Sequence, residues 1–182
     1  VVELASIMEK TGRVLLPAPF LTSIAMSATA VSRSSNEVAH SDILPGLIDG
    51  SQIASFVHLA ANGASSAGTN GATLGADGRV SGQLGFAQFG MHADTFIVLA
   101  ATQDGTPCLV AISATGEGVT RKHRDSMDLT RPFADVKLEN AQVLCGGPLT
   151  NDAQLIDDIL NIARICMASE QLGAAEAVME KT

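Results

Sequence analysis

Gly63-Ala-Ser-Ser-Ala-Gly68 is a run of small residues separated by three residues from the apolar stretch Ile53-Ala-Ser-Phe-Val-His-Leu59. A loop of that composition lets backbone N–H groups approach an anion closely, and it is equally the composition of an ordinary turn. His58, at the end of the apolar stretch, could face a ligand or the core. The cluster Arg121-Lys-His-Arg124 offers two guanidinium groups suited to bidentate contact with phosphate, or it is the charged, solvated end of a hairpin. His40, His92 and His123 belong to no constellation. Cys108, Cys145 and Cys166 form no Cys-x-x-Cys pair and have no His at ligand spacing, so they read as small core residues and not as a metal or redox site. The chain has no G-x-G-x-x-G after a strand, no P-loop, no H-E-x-x-H and no G-x-S-x-G elbow. Generic motifs therefore assign no catalytic residue.

Bulk composition narrows the classes. With 182 residues, 46% of them hydrophobic, the chain can bury a core. A net charge of −8, six Phe and no Trp or Tyr argue against a nucleic-acid partner, which needs positive charge and stacking platforms. No apolar run approaches the roughly 20 residues of a membrane span, and an odd number of scattered thiols suits the reducing cytoplasm. The first residue is Val1 and the last residues are Met179-Glu-Lys-Thr182, without a helix stop signal, so the chain reads as a segment of a longer protein.

Elements follow from periodicity. Val1, Leu4, Ala5 and Met8 fall on one helical face, and Gly12 is a natural end to that helix. Pro19 suits the first turn of a helix through Ile24, Met26 and Ala30. Asn36 is the expected cap of a short helix from Glu37 to Ile43, stopped by Pro45-Gly46. The period then changes from 3.6 to 2. Short β-type runs at Ile53–Leu59, Thr73–Leu74, Arg79–Leu84, Thr95–Ala101, Pro107–Ile112, Val119–Lys122 and Val136–Leu138 are separated by turns at Gly68 to Gly71, Asp77-Gly78 and Asp104-Gly105. Asp77-Gly78 is the clearest hairpin signal. From Asn151 a helical stripe returns through Leu155, Ile159, Ile162, Ile165 and Cys166, with Thr150 or Asn151 as its cap. The order is α+β, with no βαβ alternation and an antiparallel barrel or sandwich in the middle.

One set of landmarks is more specific than any of these. Leu44-Pro-Gly-Leu-Ile-Asp-Gly50, the strand through His58, Asp77-Gly-Arg-Val-Ser-Gly82, Ala93-Asp-Thr-Phe-Ile-Val-Leu-Ala-Ala101, Met127-Asp-Leu-Thr-Arg131 and Ala134-Asp-Val-Lys-Leu-Glu139 occur in the order and spacing of the middle of an acyl-CoA dehydrogenase. The chain resembles that family from its first helix to its last. The resemblance implies an α+β fold with an antiparallel β-barrel-like middle domain at residues 51–148. Residues 1–50 would be the end of the N-terminal helical domain, and 149–182 the start of the C-terminal one.

The family's Thr-Glu-Pro-Gly-x-Gly-Ser loop, which meets the flavin and the thioester, falls on Ala60-Ala-Asn-Gly-Ala-Ser-Ser66, where only Gly63 and Ser66 match. A second flavin segment, Trp-Ile-Thr-Asn, falls on Phe86-Ala-Gln-Phe89. The resemblance thus implies FAD contacts at His58, Leu59, Ala60, Ser66, Phe86 and Gln88, and acyl-CoA contacts at Ser66 and Arg164. Where some relatives carry a catalytic carboxylate before an Arg, this chain has Ala163-Arg164, and no catalytic base is visible. The implied reaction is α,β-dehydrogenation of an acyl-CoA within a homo- or hetero-oligomer that passes electrons to an electron-transfer acceptor. Met127-Asp-Leu-Thr-Arg131 is similar to the actinobacterial branch acting on steroid or bulky acyl-CoAs. Ala60, Ala61 and Gln88 equally suit a flavin-poor partner subunit, and a ligand-binding β-barrel module is the third alternative.

Overall fold

Strands form at each β-type run. The computed structural model describes residues 1–67 and 71–182, so the turn expected at Gly68 to Gly71 lies, except for Gly71, outside the described residues. The strands are β1 (Ala54–Val57), β2 (Leu59–Ala60), β3 (Ala72–Leu74), β4 (Arg79–Gln88), β5 (Thr95–Thr102), β6 (Pro107–Ser113), β7 (Val119–Arg124) and β8 (Phe133–Gln142), joined in one sheet. Asp77-Gly78 does turn the chain between β3 and β4. Gly78 takes φ 74°, its N–H donates to Gly75, and Leu74 pairs with Val80.

The expected antiparallel barrel needs correction on two points. The sheet is mostly antiparallel, but β1 and β3 lie end to end along the same edge of β5 and both run parallel to it. It also stays open: β6 holds the other edge of β5, β7 lies outside β8, and a single bridge between Ile112 and Val143 joins β6 to the end of β8. Parallel pairs need long crossovers. Here β2, β3 and β4 supply the crossover from β1 to β5, so no βαβ signal marks it in the sequence.

β5 is the spine of the packing. Its Phe96, Val98 and Ala100 join Val80, Leu84, Val110, Val136 and Leu138 in a core enclosed by the curved sheet. Ile97 and Leu99, on the opposite face, join Phe56, Leu109 and Leu149 under the helices. Both faces are covered, which is why the sequence there is a continuous apolar run and not an alternation.

The helices differ more from expectation. Helix α1 (Val2–Arg13) ends one residue beyond Gly12, but that glycine has a second role. A Cβ at Gly12 would collide with the backbone carbonyl of Glu170, and one at Gly173 with that of Glu9. Two glycines thus bring α1 into close contact with α5 (Ala153–Met179). Pro19 does precede a helix, but Phe20–Ala28 is wound as a π-helix before α2 (Thr29–Arg33). That winding presents Thr22 and Ser23 to the free edge of β1. Thr22 Oγ1 accepts from the Phe56 N–H at 2.7 Å and Ser23 Oγ from the Ala54 N–H at 3.1 Å.

Asn36 caps α3 (Glu37–Asp42) as expected, accepting from the Ala39 N–H. Pro45 does not stop that helix but sits in the first turn of another, α4 (Leu44–Asp49), where its missing N–H costs nothing. The cap of α5 is neither Thr150 nor Asn151 but Asp152, whose carboxylate accepts from the Gln154 N–H. Thr150 supports it by accepting from the Asp152 N–H.

Candidate functional site

A cavity of about 380 Å³ opens between one end of the sheet and α5, roofed by the π-helix. Its size suits a small ligand or one portion of a larger one. Five residues nominated from the sequence meet in its wall: His58, Leu59, Phe86, Gln88 and Arg164. Leu21, Met26, Phe133, Leu160 and Met167 make most of the remainder apolar.

Local backbone irregularity aims the two residues from β4. The β4–β8 register shifts between Leu84 and Ala87, and Phe86 in that bulge has φ 56°, a left-handed conformation rare for an aromatic residue. The bulge turns the Phe86 ring out beside Gly63, 37% exposed, edge-on to Phe133 at 6.3 Å between centroids. The Arg124 guanidinium lies over the ring, 4.0 Å from its centroid. Arg124 Nε donates to Asp135 at 2.7 Å and Nη2 to the Ala61 carbonyl, so the cation behind the ring is fixed. Gln88, two residues further on, has its carbonyl bonded by the Ser55 hydroxyl. Its amide group has no hydrogen-bond partner among the described residues and remains available to a ligand.

His58 packs against Phe56, with ring centroids 5.9 Å apart. Burial, and then the charge of Arg164, push its pKa below the ordinary 6.5. The imidazole is therefore neutral at neutral pH. Arg164, on the exposed side of α5, has Asn161 as its hydrogen-bond partner at 2.6 Å, and no carboxylate pairs with it among the described residues. The cavity thus has a free cation beside a neutral imidazole. No Asp or Glu is among its lining residues.

Two nominated residues lie elsewhere. Ala60 is buried under Leu84, where its methyl has no contact with the cavity. Ser66 is fully buried, and its Oγ donates to the Leu99 carbonyl at 2.6 Å. A Cβ on Gly71 would strike the Ser66 carbonyl, so the serine is locked inside the fold. Its hydroxyl proton is already spent. The loop's backbone is also committed. The N–H groups of Ala60, Ala61 and Gly63 donate to the carbonyls of Ala64, Gln83 and Ala60, and that of Ala64 to the Asn62 side chain. Among the described residues, most of the small residues here serve a self-bonded turn.

The basic cluster is similarly occupied. Arg121 donates to the carbonyls of Gly90, Met91 and Ala93, while Arg124 serves Phe86. The cysteines match their reading in part. Cys108 and Cys166 are buried, and burial pushes the Cys108 thiol up to about 11, but Cys145 is half-buried in a left-handed turn at φ 58°. No cluster of three metal-ligating side chains occurs among the described residues. No helix among them is long and apolar enough to cross a membrane.

Sequence reasoning missed Arg131 and Glu170. Arg131, between β7 and β8, lines the cavity beside Gln88, and its guanidinium pairs with Glu170 of α5 at 2.8 Å. Glu170 is 8% exposed. An acid in the stripe of a long helix was the available signal, but its partner lies in a distant loop.

No family model matches the chain, and no curated protein matches it. Solved structures do. The ChsE4-ChsE5 complex from Mycobacterium tuberculosis superposes with a TM-score of 0.87 and 20% identity, covering 98% of this chain and 48% of that one. A variant of the Tcur3481-Tcur3483 steroid ACAD gives 0.83 and 23%, over 97% and 47%. Butyryl-CoA dehydrogenase from Megasphaera elsdenii gives 0.78 and 22%, over 96% and 48%. The chain therefore has the fold of the acyl-CoA dehydrogenases, over about half the length of these relatives.

Proposed function

We propose that this chain is the middle portion of an acyl-CoA dehydrogenase and that its cavity receives a flavin ring and the acyl thioester lying against it. The observation that carries this reading is the meeting of His58, Leu59, Phe86, Gln88 and Arg164 in one apolar cavity, although 106 positions separate the first from the last. The residues fit a flat ring: Phe86, stiffened by Arg124, supplies an aromatic wall, and the Gln88 amide faces the space unpartnered. In the loop from Ala60 to Ala64, the N–H groups of Ala60, Ala61, Gly63 and Ala64 are taken up within the protein and are not offered to a pyrophosphate.

FAD, when bound, would accept a hydride from the acyl β-carbon. The chain's own residues have simpler tasks. Gln88 donates a hydrogen bond to the ring edge, Leu59, Met26 and Leu160 exclude water, and Arg164 sets a positive potential at the polar end of the ligand. His58, neutral and buried, is the one lining group whose ordinary pKa lies near neutrality, and burial and Arg164 hold it in the unprotonated form. Steroid-like or otherwise bulky acyl-CoAs are the substrates suggested by the Met127–Arg131 motif.

A second reading has specific support. The missing carboxylate, the buried methyl of Ala60 and the spent loop N–H groups all suit a flavin-poor subunit working beside a catalytic one. Titration of FAD into the full-length protein, alone and with its candidate partner, separates the readings. Tight stoichiometric binding by the chain alone returns it to the self-sufficient dehydrogenases. Binding only in the mixture identifies the subunit, and a mixture that binds no FAD refutes a flavin role and leaves a ligand-binding module.

A further inference from the structure

The ion pair between Arg131 and Glu170 lies between the main cavity and a small void beside α1. The main cavity abuts a second void of about 10 Å³, room for about one water, lined by Met8, Thr11, Leu16 and Phe20 from α1 and the segment after it. Leu21, Gln88 and Arg131 line both spaces and so form the partition between them. Two members of that partition are fixed by the backbone of the π-helix and of β4. Arg131 is different. It extends from the loop between β7 and β8, where Met127 and Leu129 stand fully in solvent, and is held across the cleft by Glu170 at 2.8 Å and, less closely, by Asp128 at 3.6 Å. Glu170 cannot retreat with its helix, because Gly12 packs directly on its backbone carbonyl.

We infer that the Arg131–Glu170 pair is the end wall that sets how long an acyl chain the cavity accepts, with Glu170 as the positioning residue that holds Arg131 across the cleft. This rests on the proposed binding of an acyl group in the cavity. An apolar chain gains affinity from each methylene it buries, about fourfold per methylene. That gain must cease where the chain meets a paired guanidinium, since displacing it strands the Glu170 carboxylate in a nearly closed site. Without the acid, nothing holds Arg131 inward. Its long side chain can turn out to water from an exposed loop, and the cleft continues towards Leu16 and Phe20.

The test is a length profile on the full-length protein with whatever subunit it requires. Binding of straight-chain saturated acyl-CoAs, lengthened stepwise, and of matched n-alkanols is measured for the wild type, Glu170→Ala, Arg131→Ala and Arg131→Lys. The wild-type affinity should climb and then level off at a defined length. Glu170→Ala and Arg131→Ala should each move that limit to longer chains, with the ratio of longest to shortest affinity rising at least tenfold, while Arg131→Lys keeps the pair and the wild-type limit. Weakening by the same factor at every length, or an unmoved limit, would overturn the inference and leave the pair a structural tie. If no acyl-CoA binds but the alkanol limit moves as described, the end wall stands and the dehydrogenase reading fails. Should Glu170→Ala not fold, Arg131→Ala carries the same comparison.

Discussion

His58 and Arg164 bear opposite relations to the sequence. Arg164 was identifiable only through a family pattern, since an Arg on the exposed side of a helix has no distinguishing spacing of its own. His58 was ambiguous because a strand residue next to a bend can face either way. Their proximity makes both testable. Arg164→Met should raise the His58 pKa part of the way back towards 6.5, since burial, the larger cause, remains; imidazole NMR would show it. The sign for stability follows from the depressed value. Between the unfolded pKa near 6.5 and the lower folded one, the unfolded chain binds the extra proton. Stability is therefore complete above this window and falls as pH drops through it, and His58→Asn should flatten that part of a denaturation series. Phe86→Ala should lower FAD affinity roughly two- to tenfold, the worth of about 0.5–1.5 kcal/mol of ring packing. It should cost the fold less than Leu84→Ala, where a fully buried side chain is worth about 2–5 kcal/mol. An unaltered FAD titration would remove Phe86 from the site. Ser66 shows the limit of residue matching: it sits where the motif has its serine, yet it is fully buried and its hydroxyl donates to the Leu99 carbonyl.

Among the elements, the strands were legible because turn residues delimit short apolar runs, and the Asp77-Gly78 hairpin was legible to the residue. Strand order was not. Both parallel pairings of β5 join segments far apart in sequence, and side-chain period says nothing about partner or direction. Gly12 does lie one residue before the end of α1, but its role at the crossing with α5 was not legible, because a lone glycine looks the same at a terminus and at a close crossing. Gly12→Ala or Gly173→Ala should therefore destabilise the chain by about 1–3 kcal/mol through overpacking, although alanine favours helices. A rise in melting temperature for either variant would contradict the crossing. The π-helix was hidden for another reason: its purpose is to deliver hydroxyls to β1, a need set by the sheet and not by the helix. Thr22→Val should leave the Phe56 N–H without a partner in the core, costing about 1–3 kcal/mol by chemical denaturation. Ser23→Ala should behave alike.

At the scale of the whole molecule, Ile165, Met167, Leu172, Val178 and Met179 leave α5 with apolar side chains in solvent, and Val2, Ile7, Val14 and Leu15 do the same around α1. Scattered exposure is ordinary, but two such helices side by side favour a partner. We expect the full-length protein to run as an oligomer at micromolar concentration in size-exclusion chromatography; a clean monomer would weigh against assembly and against the shared-subunit reading together. The α+β class and a β-rich middle flanked by helices followed from the sequence because periodicity switches near Gly50 and Asn151, whereas the open edge of the sheet did not, since periodicity says nothing about closure. The crossing of α1 and α5 carries a consequence for synthesis. The partner of Gly12 is made about 160 residues later, which at ribosomal rates is on the order of ten to thirty seconds. Through that interval the Met8 face of α1 lacks Ile162 and Cys166, the part of its seat that α5 supplies, and has only Phe20, Leu21 and Ala25 against it. The nascent chain must therefore keep α1 soluble or held by a chaperone until α5 has left the ribosome and completed the crossing.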